Sequence, residues 1–275
     1  MPDASDLELF KTPDEQQLPG RSIGVWVVSV LLAVAVIAAL LFFGYRRPAR
    51  VAAPESKPAP QAADRPLGSA AESITLPPLD QTDAVVRELV KKISSHPSVA
   101  AWLATDDLIR HFTTGVADVA AGKTATRQLL MLRPSSSFRV ISRGNDLVID
   151  PRSYSRYDTL AAAAASMDAE GSARLYATLK PRIEEAAKEL GDPAFDRTLE
   201  RAIVQLLKTP AVDDPIRVEP RGIGYGFADA RLEELSAAQK HLIRTGPRNA
   251  LIIQTSLRAI ALALGIPPER LPSNR

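Results

Sequence analysis

The chain has 275 residues, with 34 lysines and arginines against 32 aspartates and glutamates, and it contains no cysteine. The lack of cysteine excludes disulfide bonds, thiol catalysis and thiolate metal sites. The balance of charge excludes an electrostatic nucleic-acid binder, which would carry a clustered basic face.

A polar tail, residues 1–22, precedes an uncharged apolar segment over residues 23–45. A helix of that length covers roughly 34 Å at about 1.5 Å per residue, enough for a hydrocarbon core of ~30 Å. Arg46 and Arg47 follow as a basic stop. A cleaved signal peptide is the alternative, but its apolar region runs only ~7–15 residues. The segment therefore predicts one N-terminal transmembrane helix, with the membrane as a partner.

Residues 46–79 contain seven prolines and few large apolar side chains. Such a composition cannot bury enough surface to offset the entropy lost on ordering. We therefore predict a disordered linker that tethers the C-terminal part of the chain to the apolar segment.

The rest of the chain predicts one α-rich globular domain over residues 80–265 and a C-terminal tail over 266–275. Apolar spacing and capping signals predict helix starts at Thr82, Pro97, Thr105, Asp150, Asp168, Phe195, Ser236 and Pro247. Pro181 is expected to kink the helix that contains it. Two small β-hairpins are predicted around Gly144–Asn145 and around residues 222–224, and they could join in one sheet. The predicted fold class is thus mainly α, with these hairpins, the linker and the membrane helix.

No residue is predicted to be catalytic, to bind a cofactor or to ligate a metal. The three histidines, His96, His111 and His241, lack the i, i+4 spacing of a metal site. The glycines of "GIGYG", residues 222–226, lie between two strand-like segments, which favours a hairpin turn over a phosphate-binding loop.

Two clusters remain as candidate partner-binding sites. Four residues fall on the first turns of one predicted helix: Arg152, Tyr154, Arg156 and Tyr157. Tyrosines beside arginines can bind sugars, peptides or carboxylates. A second, charge-rich segment contains Lys240 and Arg244. The competing interpretation is structural: the tyrosines close the edge of the core, and the charged residues form a solvated ion-pair face.

Four segments carry a family resemblance: "SHPSVAAWLATDDLIRHF", "FRV…LVIDPRSYSRYD", "FDRTLERAIVQLLKTP" and "YGFADARLEELSAAQKHLIRTGPRN". In this order they resemble a proteobacterial family of single-span proteins, the domain of unknown function numbered three-thousand-fourteen, over about residues 76–264. The chain departs from the family pattern at Ala230 and Thr245. The family has no assigned activity, so the resemblance implies no catalytic residues. It does imply an envelope protein of the bacterial inner membrane whose domain lies on the periplasmic side.

We expect a non-catalytic binding or scaffold module that recognises another envelope protein or the cell wall. The charges that flank residues 23–45 favour the opposite orientation, since two basic residues precede the segment and five lie within residues 46–65. A cytoplasmic-face adaptor therefore stays open. The enzymatic alternative is a cell-wall glycan hydrolase with a single catalytic carboxylate, for which Glu170 or Glu184 would be the candidates.

Overall fold

A computed structural model describes residues 66–68, 70–128, 134 and 136–273 of the chain. In this part the α-helices are α1 Asp83–Lys91, α2 Pro97–Leu103, α3 Leu108–Ala120, α4 Arg152–Ser155, α5 Asp158–Ala165, α6 Ala169–Glu189, α7 Phe195–Leu207, α8 Ala230–Glu233, α9 Ala237–Arg244 and α10 Pro247–Ala263. Short 3-10 helices cover Leu79–Gln81 and Pro268–Arg270. The strands are β1 Val140–Arg143, β2 Asp146–Ile149, β3 Arg217–Arg221 and β4 Gly224–Phe227.

Several capping signals read from the sequence are confirmed, but Thr82 does not cap α1, because its hydroxyl donates to the Leu79 carbonyl instead of accepting from an N–H group. The His96 ring accepts a hydrogen bond from the Ser98 backbone N–H at the start of α2, and the Asp168 carboxylate accepts one from the Gly171 N–H at the start of α6. At α9, Ser236 and Gln239 form a reciprocal capping box. These polar side chains satisfy backbone N–H groups that a helix start leaves without a partner.

Two helix starts differ from the prediction. Helix α3 begins at Leu108 rather than at Thr105, because the Asp83 carboxylate on α1 accepts hydrogen bonds from the Asp107 and Leu108 N–H groups. The single helix predicted from Asp150 is broken into α4 and α5 at Arg156 and Tyr157. In contrast, α6 runs from Ala169 to Glu189 without interruption at Pro181.

The two predicted hairpins are present and join in one antiparallel sheet of order β1-β2-β3-β4. Gly144 and Gly222 have positive φ values of 62° and 58° in the two turns, a backbone conformation that glycine adopts without a side-chain clash. The hairpins meet through β2 and β3, with Leu147 opposite Val218. The inner face of the sheet packs with α4 and α9 into a small core around Phe227, Tyr154 and Ile243.

The larger core lies among α1, α3, α6, α7 and α10. It includes the predicted stripe of α1, with Val86, Leu89 and Val90 all buried. The core also takes in Leu67 and Leu271, near the two ends of the described part. Asp196 at the start of α7 anchors the backbone at Leu67. Its carboxylate accepts hydrogen bonds from the Leu67 N–H, the Tyr176 hydroxyl and the Lys180 ammonium.

The predicted fold class needs a correction. It included a transmembrane helix over residues 23–45, which lie outside the described residues together with most of the predicted linker. Among the elements that the structure does describe, no helix is long and apolar enough to cross a membrane. The 21-residue α6 has the length, but charged side chains recur along it. The described fold is therefore mainly α with one small four-stranded sheet.

Candidate functional site

Four side chains from two parts of the fold form a cluster of cations and aromatic rings, here called the arginine cluster: Arg156, Tyr157, His241 and Arg244. Arg156 and Tyr157 lie in the turn between α4 and α5, and His241 and Arg244 lie on α9. Their spacing of three residues on α9 places His241 and Arg244 on one helix face. The break between α4 and α5 therefore creates half of the cluster.

Aromatic contacts organise the first half. The Arg156 guanidinium lies over the Tyr157 ring at 5.2 Å from its centroid and donates a hydrogen bond to the Tyr157 hydroxyl at 3.2 Å. The Tyr157 ring meets the His241 ring edge to face, with 5.7 Å between centroids and an interplanar angle of 88°. Cation–π and edge-to-face contacts of this kind fix the rings but do not neutralise the charge of the arginine.

Arg244 is held in a similar way at the edge of the sheet. Its guanidinium lies 4.8 Å from the centroid of the Phe227 ring and donates a hydrogen bond to the Tyr225 carbonyl at 3.1 Å. Both Arg156 and Arg244 are half-buried. Neither forms an ion pair with a carboxylate of the described residues, and the Arg156 Nε is buried without an acceptor.

The electrostatics of the cluster result from this arrangement. Burial lowers the pKa of His241 below its ordinary value, and the charges of Arg244 and then Arg156 lower it further. His241 is therefore neutral at pH 7. Burial also lowers the pKa of Arg244, while Glu233 and Tyr157 act in the opposite direction. An arginine nevertheless stays protonated, so the cluster holds two positive charges around a neutral imidazole.

A hydrogen-bonded asparagine supports the turn that carries Arg156 and Tyr157. The amide nitrogen of Asn249, near the start of α10, lies 3.0 Å from the Tyr154 carbonyl and 2.8 Å from the Asp158 carboxylate. It also lies 3.1 Å from the Thr245 carbonyl. Asn249 is buried, so this amide ties α9 and α10 to the α4–α5 turn.

The structure brings together only some of the residues that the sequence singled out. Arg156, Tyr157 and Arg244 meet in the cluster, but Tyr154 is buried and its hydroxyl donates to Asp214 at 2.8 Å. Burial, and then Asp214, raise the pKa of Tyr154 above its usual range. Tyr154 therefore serves the packing between α4 and the sheet.

The other two predicted residues lie apart from the cluster. Arg152 is exposed. The Lys240 ammonium donates to both the carbonyl and the carboxylate of Glu233, each at 2.9 Å. That ion pair, with the Phe227 N–H, lowers the pKa of Glu233. The competing structural interpretation thus fits Lys240, whereas Arg244 on the same helix has no carboxylate partner among the described residues.

Sequence reasoning missed His241 as a member of the cluster. It was considered only as a metal ligand, although its spacing from Arg244 could have placed both on one face. In the described part of the chain no three residues are grouped so as to hold a metal ion. The hydrolase candidates Glu170 and Glu184 are both exposed on α6.

Comparison with known proteins identifies the family of the chain. No curated protein and no solved structure matches the chain. Residues 108–261, more than half of the chain, match the family described as "Protein of unknown function (DUF3014)". The match contains every residue of the arginine cluster. It confirms the resemblance to this domain of unknown function, whereas the proteobacterial origin and the single span stay predictions. The chain belongs to the DUF3014 family.

Proposed function

We propose that the domain is a non-catalytic binding module that takes a carboxylate of a partner protein at the arginine cluster. The observation that carries this proposal is the pair of half-buried guanidiniums, Arg156 and Arg244, without a carboxylate partner among the described residues. Desolvated cations are costly unless they are paired. A carboxylate would supply the pairing, and arginine presents several N–H donors to it in one plane.

The neighbouring strand supports a protein as the partner. β4 is an edge strand of the sheet, and the Tyr225 carbonyl to which Arg244 donates belongs to it. Tyr225 and Ile223 beside it are exposed, Ile223 fully so. A peptide would pack against these side chains rather than add a strand, because the Tyr225 carbonyl and the Phe227 N–H already have partners in Arg244 and Glu233. A peptide bound along β4 would bring an acidic side chain or its terminal carboxylate next to Arg244.

The anion site can be tested with a small dicarboxylate as the probe. Glutarate is titrated into the full chain while the His241 imidazole signals are followed by NMR, with assignment from His241→Asn. A bound anion offsets the charges of Arg244 and Arg156, so the pKa of His241 should rise and saturate with glutarate. Arg156→Gln and Arg244→Gln should each weaken glutarate binding by roughly 10- to 100-fold.

Arg231→Gln is the matched control, because Arg231 is exposed and paired with Asp229. It should bind glutarate as the unmodified protein does. A His241 pKa that stays constant across the titration, or equal weakening in the control, would refute the anion site.

The protein partner is then sought with the same variants. A partner captured by the unmodified chain and by Arg231→Gln, but lost from the Arg156→Gln/Arg244→Gln double variant, supports the proposal. Retention on purified cell-wall sacculi through these arginines would instead identify the wall as the ligand. For the hydrolase alternative, glycan release that depends on Glu170 or Glu184 is the decisive measurement.

The localisation in the bacterial envelope stays a prediction. A compartment-sensitive reporter joined after Arg275 tests it. Activity of the reporter on the periplasmic side supports an envelope binding module, and activity in the cytoplasm supports the cytoplasmic-face adaptor.

A further inference from the structure

A cavity of about 480 Å³ lies inside the helical part of the domain. Six helices contribute side chains to its wall, and one residue from each shows its character: Val90, Trp102, Val116, Leu179, Ile203 and Leu257. Protein interiors are close-packed, and voids larger than a water molecule are few. A cavity of this size lies instead within the range of about 300–1,000 Å³ found for small-molecule sites.

The wall of the cavity is almost entirely hydrocarbon. No lysine, arginine, aspartate or glutamate is among the described residues that line it. Several lining residues are only half-buried, among them Val116 and Val119 on α3 and Trp102 on α2, so the cavity approaches the surface. The wall therefore suits a flexible aliphatic molecule, and His111 is the one basic side chain among the described residues that line it.

Two lining residues carry buried polar atoms that have no hydrogen-bond partner in the described part of the chain. They are the Trp102 Nε1, which is a donor, and the Gln128 Oε1, which is an acceptor. Buried polar groups without a partner are rare in native proteins, and each calls for an explanation. A ligand hydroxyl can accept from an indole N–H and donate to an amide oxygen, so it can satisfy both kinds of atom.

We propose that this cavity binds one aliphatic chain that carries an uncharged hydroxyl head group, such as a long-chain alcohol or a monoacylglycerol. The hydrocarbon chain fills the cavity, and the hydroxyl pairs with the Trp102 Nε1 or the Gln128 Oε1. None of the described lining residues belongs to the arginine cluster. The aliphatic site is therefore a second site, independent of the proposed carboxylate site.

The test uses the full chain and the fluorescent apolar probe phenylnaphthylamine. The probe should bind, and decanol should displace it. Decanoate, which is ionised at neutral pH, should displace it at least about tenfold less well because the described wall offers no lysine or arginine. Val116→Trp fills the cavity from α3 and should abolish probe binding. Val119→Phe is a second filling variant, which keeps the test valid should Val116→Trp not fold.

Leu251→Trp is the matched control, because it adds the same indole on an exposed side of α10 that does not line the cavity. It should leave probe binding unchanged. Trp102→Phe keeps an aromatic ring but removes the N–H. This variant should bind the probe normally and lose several-fold in decanol affinity.

Equal probe binding by the filled and control variants would overturn the proposal, since the probe would then lie elsewhere. Equal displacement by decanol and decanoate would overturn the uncharged head group. Neither result would affect the glutarate titration, so the two proposed sites fail or succeed separately.

Discussion

Replacement of Gly246 by alanine should destabilise the domain through two separable effects. Gly246 precedes α10 with φ 92° and ψ 157°, a backbone region that is essentially restricted to glycine. A side chain there costs about 1–3 kcal/mol in strain alone. A Cβ would also lie 2.5 Å from Cγ and 2.7 Å from Cβ of Tyr154. No real Cβ contact is that short, so either Tyr154 or the start of α10 must move.

Tyr154 cannot yield easily. It is buried, its hydroxyl is bonded to Asp214, and its carbonyl lies within hydrogen-bond distance of the Asn249 amide. Overpacking at such a site typically costs about 1–3 kcal/mol. Together the two effects should lower the free energy of unfolding by about 2–6 kcal/mol in Gly246→Ala.

Gly265 provides the matched control. Its φ of 88° is close to that of Gly246, but a Cβ added there meets nothing within 4 Å. Gly265→Ala should therefore cost only the strain of a positive φ, about 1–2 kcal/mol. Urea unfolding monitored by circular dichroism measures both variants against the unmodified protein, with equal m values as the condition for comparison. If Gly246→Ala loses no more stability than Gly265→Ala, the contact with Tyr154 is not rigid and the reasoning fails.

Two further predictions concern buried polar side chains. Asn249→Ala removes an amide that lies close to three oxygen acceptors. It should lower the free energy of unfolding by about 2–3 kcal/mol in the same urea assay. A loss under about 0.5 kcal/mol would show that the amide does not hold the α4–α5 turn. Burial opposes the ionisation of Asp196, but hydrogen bonds from Lys180, Tyr176 and the Leu67 N–H outweigh it and lower the pKa of Asp196 below that of an unfolded chain. Its contribution to stability is therefore complete above the unfolded pKa of about 4 and is lost as the pH falls through the folded pKa. The Asp196→Asn variant should therefore be less stable than the unmodified protein at pH 7, and its stability should fall less on acidification. Parallel profiles of stability against pH for the two proteins would contradict this role.

The sequence predicted the elements whose signals are local. The capping box of Ser236 and Gln239, the cap at Asp168 and the turn at Gly144 each depend on residues a few positions apart. The stripe of Val86, Leu89 and Val90 is likewise a consequence of helical spacing alone. Such features are decided by backbone geometry and side-chain reach, so one segment contains all the information needed to predict them.

The sequence-based predictions failed, or stayed open, where a feature depends on contacts between distant segments. The start of α3 was misplaced because its capping carboxylate, Asp83, lies on α1. The helix predicted from Asp150 is broken at the α4–α5 turn, where Asn249 supplies hydrogen bonds from α10. The strand pattern could not tell whether the hairpins join, since the pairing of β2 with β3 is a contact between distant segments.

The candidate site divides in the same way. The sequence identified Arg156, Tyr157 and Arg244 as unusual residues, but it could not show which charges already have partners. Lys240 and Arg244 lie on the same helix, yet only Lys240 is placed within reach of the Glu233 carboxylate, and Arg244 is turned onto the Phe227 ring. Periodicity assigns residues to helix faces, but the packing of those faces decides which cations are neutralised and where a cavity remains. Local chemistry in the chain therefore determined the helices and turns. Only the tertiary structure decided the arginine cluster and the aliphatic cavity, because it brings some distant side chains into contact and leaves others apart.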